Sequence, residues 1–126
     1  MNTTPVALAE ALLRARTGPL HLLQVGASLG DFSAENSVDR LNESSDAVRI
    51  AMRRMLQYAG TRALLLEPNP PVFRKLNASI HSNFGAQGRV RARNVAVCSH
   101  THGVVDFFVP APKLLRDYPT VPYWAT

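Results

Sequence analysis

The sequence predicts an α/β fold, the front half of a doubly wound parallel sheet. Three observations predict it. Short apolar runs bounded by proline and glycine alternate with segments of helical periodicity, the first run ends in a loop of small residues, and the second ends in a carboxylate. With 126 residues, 46% of them apolar, the chain has the length of one domain and material for one core. Seven glycines, nine prolines and no apolar run beyond four residues set aside collagen-like, disordered and membrane-spanning classes.

Thr4 as N-cap and Pro5 at the first helical position open a helix with an apolar stripe of Leu8, Ala9, Leu12 and Leu13, closed by Gly18 and Pro19. Leu20 to Val25 is too short for a buried helix and reads as a central strand covered on both faces, with His21 a hydrogen-bonded core histidine. Residues 31 to 41 carry Phe32, Val38 and Leu41 at loose helical spacing, and Asn42 to Asp46 reads as a loop. Ser44 to Ala59 forms a helix that turns Val48, Ala51, Met52, Met55, Leu56 and Ala59 inward and Arg49, Arg53 and Gln57 outward. The methionines of that stripe are core material.

Arg62 to Glu67 is the second strand. Asn69 caps a third helix with Pro70 at its first position and Val72, Phe73, Leu76 and Ile80 facing inward; His81 falls near its end, and Asn83 to Gly88 is a loop. Arg89 to Cys98 alternates, then shifts phase at Asn94 so that Val95 and Val97 point inward; through a turn at Ser99 to Gly103 it forms a hairpin with a strand at Val104 to Val109. Residues 110–126, with four prolines, make an irregular tail apart from a turn at Leu114 to Asp117.

The 14 basic side chains, 12 of them arginine, give a net charge of +5, yet they are scattered and have no aromatic residues interleaved for base stacking, so no nucleic-acid partner is expected. Asp31, Glu35, Asp39 and Glu43 recur every fourth residue and read as a solvated stripe. Cys98, His100 and His102 lack the fourth ligand of a zinc site, and no metal is expected. The lone Cys98 and the missing continuous apolar stretch in residues 1 to 17 point to a cytoplasmic chain without a secretory signal or membrane partner.

The chemistry concentrates in Gln24-Val25-Gly26-Ala27-Ser28-Leu29-Gly30-Asp31, where a strand runs into a turn of small residues that lets a ligand lie against the backbone. The dinucleotide fingerprint requires glycine where Ser28 and Asp31 stand, and Asp31 would repel a pyrophosphate. S-adenosylmethionine carries no phosphate and tolerates that acid. Glu67, in Leu64-Leu65-Leu66-Glu67-Pro68-Asn69-Pro70, stands at the tip of the second strand, where a carboxylate accepts from two vicinal ribose hydroxyls.

These blocks, followed by Val95-Ala96-Val97 and Val105-Asp106-Phe107-Phe108-Val109, resemble the first three blocks of the FkbM-type S-adenosylmethionine-dependent methyltransferases over residues 20 to 110. The resemblance implies an incomplete class I methyltransferase (Rossmann-like) three-layer fold, with parallel strands and a terminal β-hairpin, lacking the C-terminal half of the sheet. Residues 1–126 would be a partial cofactor-binding domain. Gly26 to Gly30 would cradle the methionine part of the cofactor, Glu67 hold its ribose, and Asn69 with Asn94 to Ala96 lie near the adenine. The full binding set implied is Gln24, Gly26, Ala27, Ser28, Gly30, Glu67, Pro68, Asn69, Asn94 and Ala96. Many relatives have Asp at the place of Gln24 and Asn or Gly at that of Ser28.

Relatives also continue into a fourth strand with an acidic motif and three strands beyond it, whereas this chain stops at Thr126, so no residue is nominated as catalytic base. The implied strand order leaves Leu20 to Val25 as an unpaired apolar edge through which the chain is expected to self-associate. The function expected is methyl transfer to an oxygen of a small-molecule or sugar-like acceptor. A non-catalytic binding or assembly module is the alternative, and a nicotinamide-dependent oxidoreductase fragment a third reading.

Overall fold

The computed structural model describes residues 4–30, 43–85, 88–99, 103–104, 106 and 111–117. In chain order these form α1 (Pro5–Ala15), β1 (Leu20–Val25), α2 (Glu43–Gln57), β2 (Thr61–Leu66), α3 (Pro70–Phe84), β3 (Val90–Arg93) and α4 (Pro112–Asp117). The predicted helix at residues 31 to 41, His100 and His102, and most of the predicted strand at Val104 to Val109 lie outside the described residues.

The sheet is α/β and wholly parallel, in the order β1-β2-β3. Leu22 pairs with Ala63 and Leu23 with Leu64, while Ala63 pairs with Val90 and Leu64 with Arg91. Two crossovers of the same hand, both stepping the same way across the sheet, must land on the same face. The core agrees: Met52 and Leu56 of α2 and Leu76 and Ile80 of α3 all pack with Ala63, Leu65 and Val90. Leu56, Leu65 and Leu76 are exposed by 1% or less, and removing each from water stabilises the fold by roughly 1.5–3 kcal/mol. α1 extends this layer, setting Ala9 against Ala51 and Met55, with Leu20 and Leu22 packed alongside. Thr4 caps α1, its Oγ1 accepting from the Ala7 amide at 3.1 Å.

The other face carries His21, Leu23 and Val25 of β1, Arg62, Leu64 and Leu66 of β2, and Arg91 and Arg93 of β3, all exposed except Leu66, which is buried at the loop end of the strand. Among the described residues the fold therefore has two layers, one sheet and one set of helices, rather than the three expected. β1 is correspondingly covered on one face only: Leu23 and Val25 are 61% and 59% exposed, and His21 lies in solvent instead of the core. Its outer edge pairs with no described strand, as expected.

Other expectations are corrected. α2 begins at Glu43, inside the expected loop, and Arg49 on its supposed solvent side is buried at 7% exposure, while Val48 faces solvent at 41%. The reason is that α2 packs against β2 and also against α1, so two flanks are covered. For α1 the stripe is only half used, Ala9 being buried and Leu8 and Leu12 exposed. α3 runs on to Phe84, with His81 exposed in its last turn. β3 ends at Arg93. The chain from Asn94 to Ser99 is irregular, Val95 and Val97 are exposed, and Val104 and Asp106 lie in no strand, so no hairpin forms among the described residues. The proline-rich tail is not wholly irregular, because Pro112 opens α4, where Lys113 pairs with Asp117 at 2.8 Å. No helix among the described residues is long and apolar enough to cross a membrane.

Candidate functional site

At the carboxyl end of β1 the chain turns through three left-handed residues in five positions: Gly26 at φ 73°, Ser28 at φ 51° and Gly30 at φ 92°. Space does not dictate Gly26, since a Cβ there would meet nothing within 4 Å; its φ does. Ser28 has no such freedom, and holding a residue with a side chain in this region costs about 1 kcal/mol or more. Asn and Gly are the residues that adopt this region most readily.

The loop is fastened to the neighbouring strand by three backbone amides. Those of Gly26 and Ala27 both donate to the Leu66 carbonyl at 2.9 Å, and that of Ser28 donates to Glu67 Oε2 at 2.7 Å. The Gly30 amide closes the turn on the Ala27 carbonyl at 3.0 Å. The carboxylate is itself fixed from behind, with Oε1 accepting from the Asn69 amide at 2.9 Å and the Glu67 amide donating to the Arg93 carbonyl at 3.0 Å. Asn94, just past β3, donates its Nδ2 to the Glu67 and Pro68 carbonyls at 2.9 Å each, joining the exits of β2 and β3.

Glu67 is only 7% exposed and Asn69 3%. Asn69 stands at the N-cap of α3, but its side chain makes no capping bond and its buried Oδ1 has no hydrogen-bond partner among the described residues. A buried acceptor left unsatisfied costs about 1–3 kcal/mol, an observation that fits a place where a ligand donor belongs.

The structure thus brings together Gly26, Ala27, Ser28, Gly30, Glu67, Pro68, Asn69 and Asn94. Gln24 precedes the loop on the helix-covered face, opposite Leu65. Ala96 lies exposed in the irregular stretch after β3, and none of the bonds that join the cluster reaches it. Sequence reasoning missed the Leu66 carbonyl, a backbone acceptor that leaves no trace in residue type. It also missed Arg89, whose guanidinium donates to the Leu56 carbonyl at 2.9 Å and stacks 4.9 Å from the Phe84 ring. Arg89 lines a cavity of about 320 Å³ with Arg53, Leu56, Gln57, Asn83 and Phe84, at the opposite end of the strands from the glycine loop.

Chemically the cluster is rich in acceptors and poor in free donors. A carboxylate has about four lone-pair sites, of which backbone amides occupy two here, leaving one on each oxygen for vicinal hydroxyls. A phosphate is poorly served. The loop amides that would cradle it are consumed by Leu66 and Glu67, and α3 begins with Pro70 and Pro71, which lack amide hydrogens. No family model, no curated protein and no solved structure matches this chain.

Proposed function

We propose that the chain is the S-adenosylmethionine-binding part of a methyltransferase of the FkbM type, acting on an oxygen of a small-molecule or sugar-like acceptor. The observation that carries this reading is the junction of Ser28 and Glu67, a left-handed turn at one strand tip tied to a buried carboxylate at the next. Glu67 would take the two ribose hydroxyls, the Gly26 to Gly30 turn would border the methionine part, and Asn69 Oδ1 would accept from a ligand N–H. The bound cofactor would supply an electrophilic methyl group; this chain's residues would hold and orient it. The same geometry weighs against the nicotinamide reading, because the loop amides that would cradle a pyrophosphate already donate to the Leu66 carbonyl and to Glu67 Oε2.

Titration calorimetry with S-adenosylmethionine, S-adenosylhomocysteine and NAD tests the proposal. The two sulfur compounds are expected to bind and NAD not to, and Glu67→Ala, with its fold checked by circular dichroism, is expected to abolish the heat. A second reading, a non-catalytic binding or assembly module, draws on the exposed Leu23, Val25 and Leu64 of the open sheet face. Binding of the sulfur compounds without turnover on any acceptor would favour it.

A further inference from the structure

Among the described residues the two edges of the sheet differ in kind. β3 is four residues long and carries Arg91 and Arg93. β1 is six residues long, Leu-His-Leu-Leu-Gln-Val, with no proline, glycine, carboxylate, lysine or arginine. Edge strands are normally guarded by charge, proline or brevity, and β3 has two of these while β1 has none.

The edge of β1 that pairs with no described strand has a defined hydrogen-bonding pattern. The Leu20 amide donates to the Gly60 carbonyl and the Gly26 amide to the Leu66 carbonyl, so the even-numbered residues address β2. In a parallel pair the alternate residues point the other way, which leaves the amides and carbonyls of His21, Leu23 and Val25 on the outer edge. Their side chains are those on the open face.

We propose that two copies of this chain pair antiparallel through β1 about a two-fold axis at Leu23. That register sets His21 opposite Val25 of the second copy and Leu23 opposite its own equivalent, and all three outward residues exchange both of their bonds. Centring on Leu22 instead would place Val25 against Pro19, which has no amide hydrogen. Each residue near a two-fold axis meets its own copy, so a charged edge repels itself: the arginines close β3 to this contact, and a neutral β1 admits it in a chain of net charge +5. On the open face the result is a row of Leu64, Leu23 and their two equivalents across a six-stranded sheet. On the helix side, Leu20 and Leu22 pack against the cluster of Ala9, Ala51 and Met55, and α1 carries Leu8 and Leu12 at 52% and 41% exposure.

The contact is small. A six-residue strand is about 20 Å long, and with one helix layer it offers on the order of 400 Å² per copy, half of what a standard stable interface buries. The dimer is therefore weak and concentration-dependent. Sedimentation velocity on the full chain, from low micromolar to near-millimolar concentration, is expected to show a monomer–dimer equilibrium. Amide exchange should slow with concentration at His21, Leu23 and Val25 and stay constant at Leu22 and Gln24. Leu23→Lys is expected to weaken association at least about tenfold, by setting like charges opposite each other, while Val104→Lys on an exposed site leaves it unchanged. A monomer throughout the range would overturn the proposal. So would association that survives Leu23→Lys, open-ended oligomers, or a monomer whose three outward amides are already protected by another segment.

Discussion

The Ser28 amide and Glu67 Oε2 meet at 2.7 Å although the residues are 39 apart in sequence, and this bond fastens the turn after β1 to the tip of β2. Replacing Glu67 removes an acceptor for two backbone amides at once. Glu67→Ala is expected to cost about 2–4 kcal/mol, and Glu67→Gln less because one acceptor oxygen survives. Chemical denaturation of the three proteins measures the order.

Ser28 occupies a left-handed conformation that its Cβ disfavours. Ser28→Asn is expected to raise stability by about 0.5 kcal/mol, and Ser28→Val to lower it by about 1–2 kcal/mol, since a β-branched residue fits this region worst. Thermal melts followed by circular dichroism distinguish the two signs.

Asn94 is exposed, yet its amide is the link between the carbonyls of Glu67 and Pro68 and the end of β3. Asn94→Ala is expected to cost about 1 kcal/mol, and Asn94→Asp more, because a carboxylate would face two carbonyls. Faster amide exchange at Asn69 in both variants would report the loosened turn.

Neighbouring leucines of β2 should respond differently. Leu65 is fully buried against both helices and Leu64 is 36% exposed on the open face. Leu65→Ala is expected to cost about 2–5 kcal/mol and Leu64→Ala less than about 1 kcal/mol, read from urea midpoints.

Residue type revealed α1, β1, β2 and α3 and the residues that meet in the candidate site. Proline and glycine punctuation located β1 and β2, and a small-residue turn beside an acid at adjacent strand tips located Gly26 to Ser28 and Glu67. What it could not reveal depends on neighbours. Leu-His-Leu-Leu-Gln-Val reads as doubly covered because its composition is apolar, but coverage follows from which way the sheet grows, and both crossovers here fall on one face. A one-sided helix pattern sends Arg49 to solvent, whereas α2 is packed by β2 and α1 together. Val95 and Val97 alternate like a strand, yet alternation without a pairing partner leaves them exposed. The left-handed Ser28 and the twice-used Leu66 carbonyl belong to the backbone, which side-chain identity does not encode.

On the proposed function, the turn after β1 and the carboxylate after β2 grip one adenosyl ligand between them. Titrating the isotope-labelled chain with S-adenosylhomocysteine and following its amide resonances tests this directly. Gly26, Ser28 and Asn69 are expected to shift together with a single saturation curve. Shifts confined to the Arg53, Phe84 and Arg89 cavity, or none at saturating ligand, would contradict it.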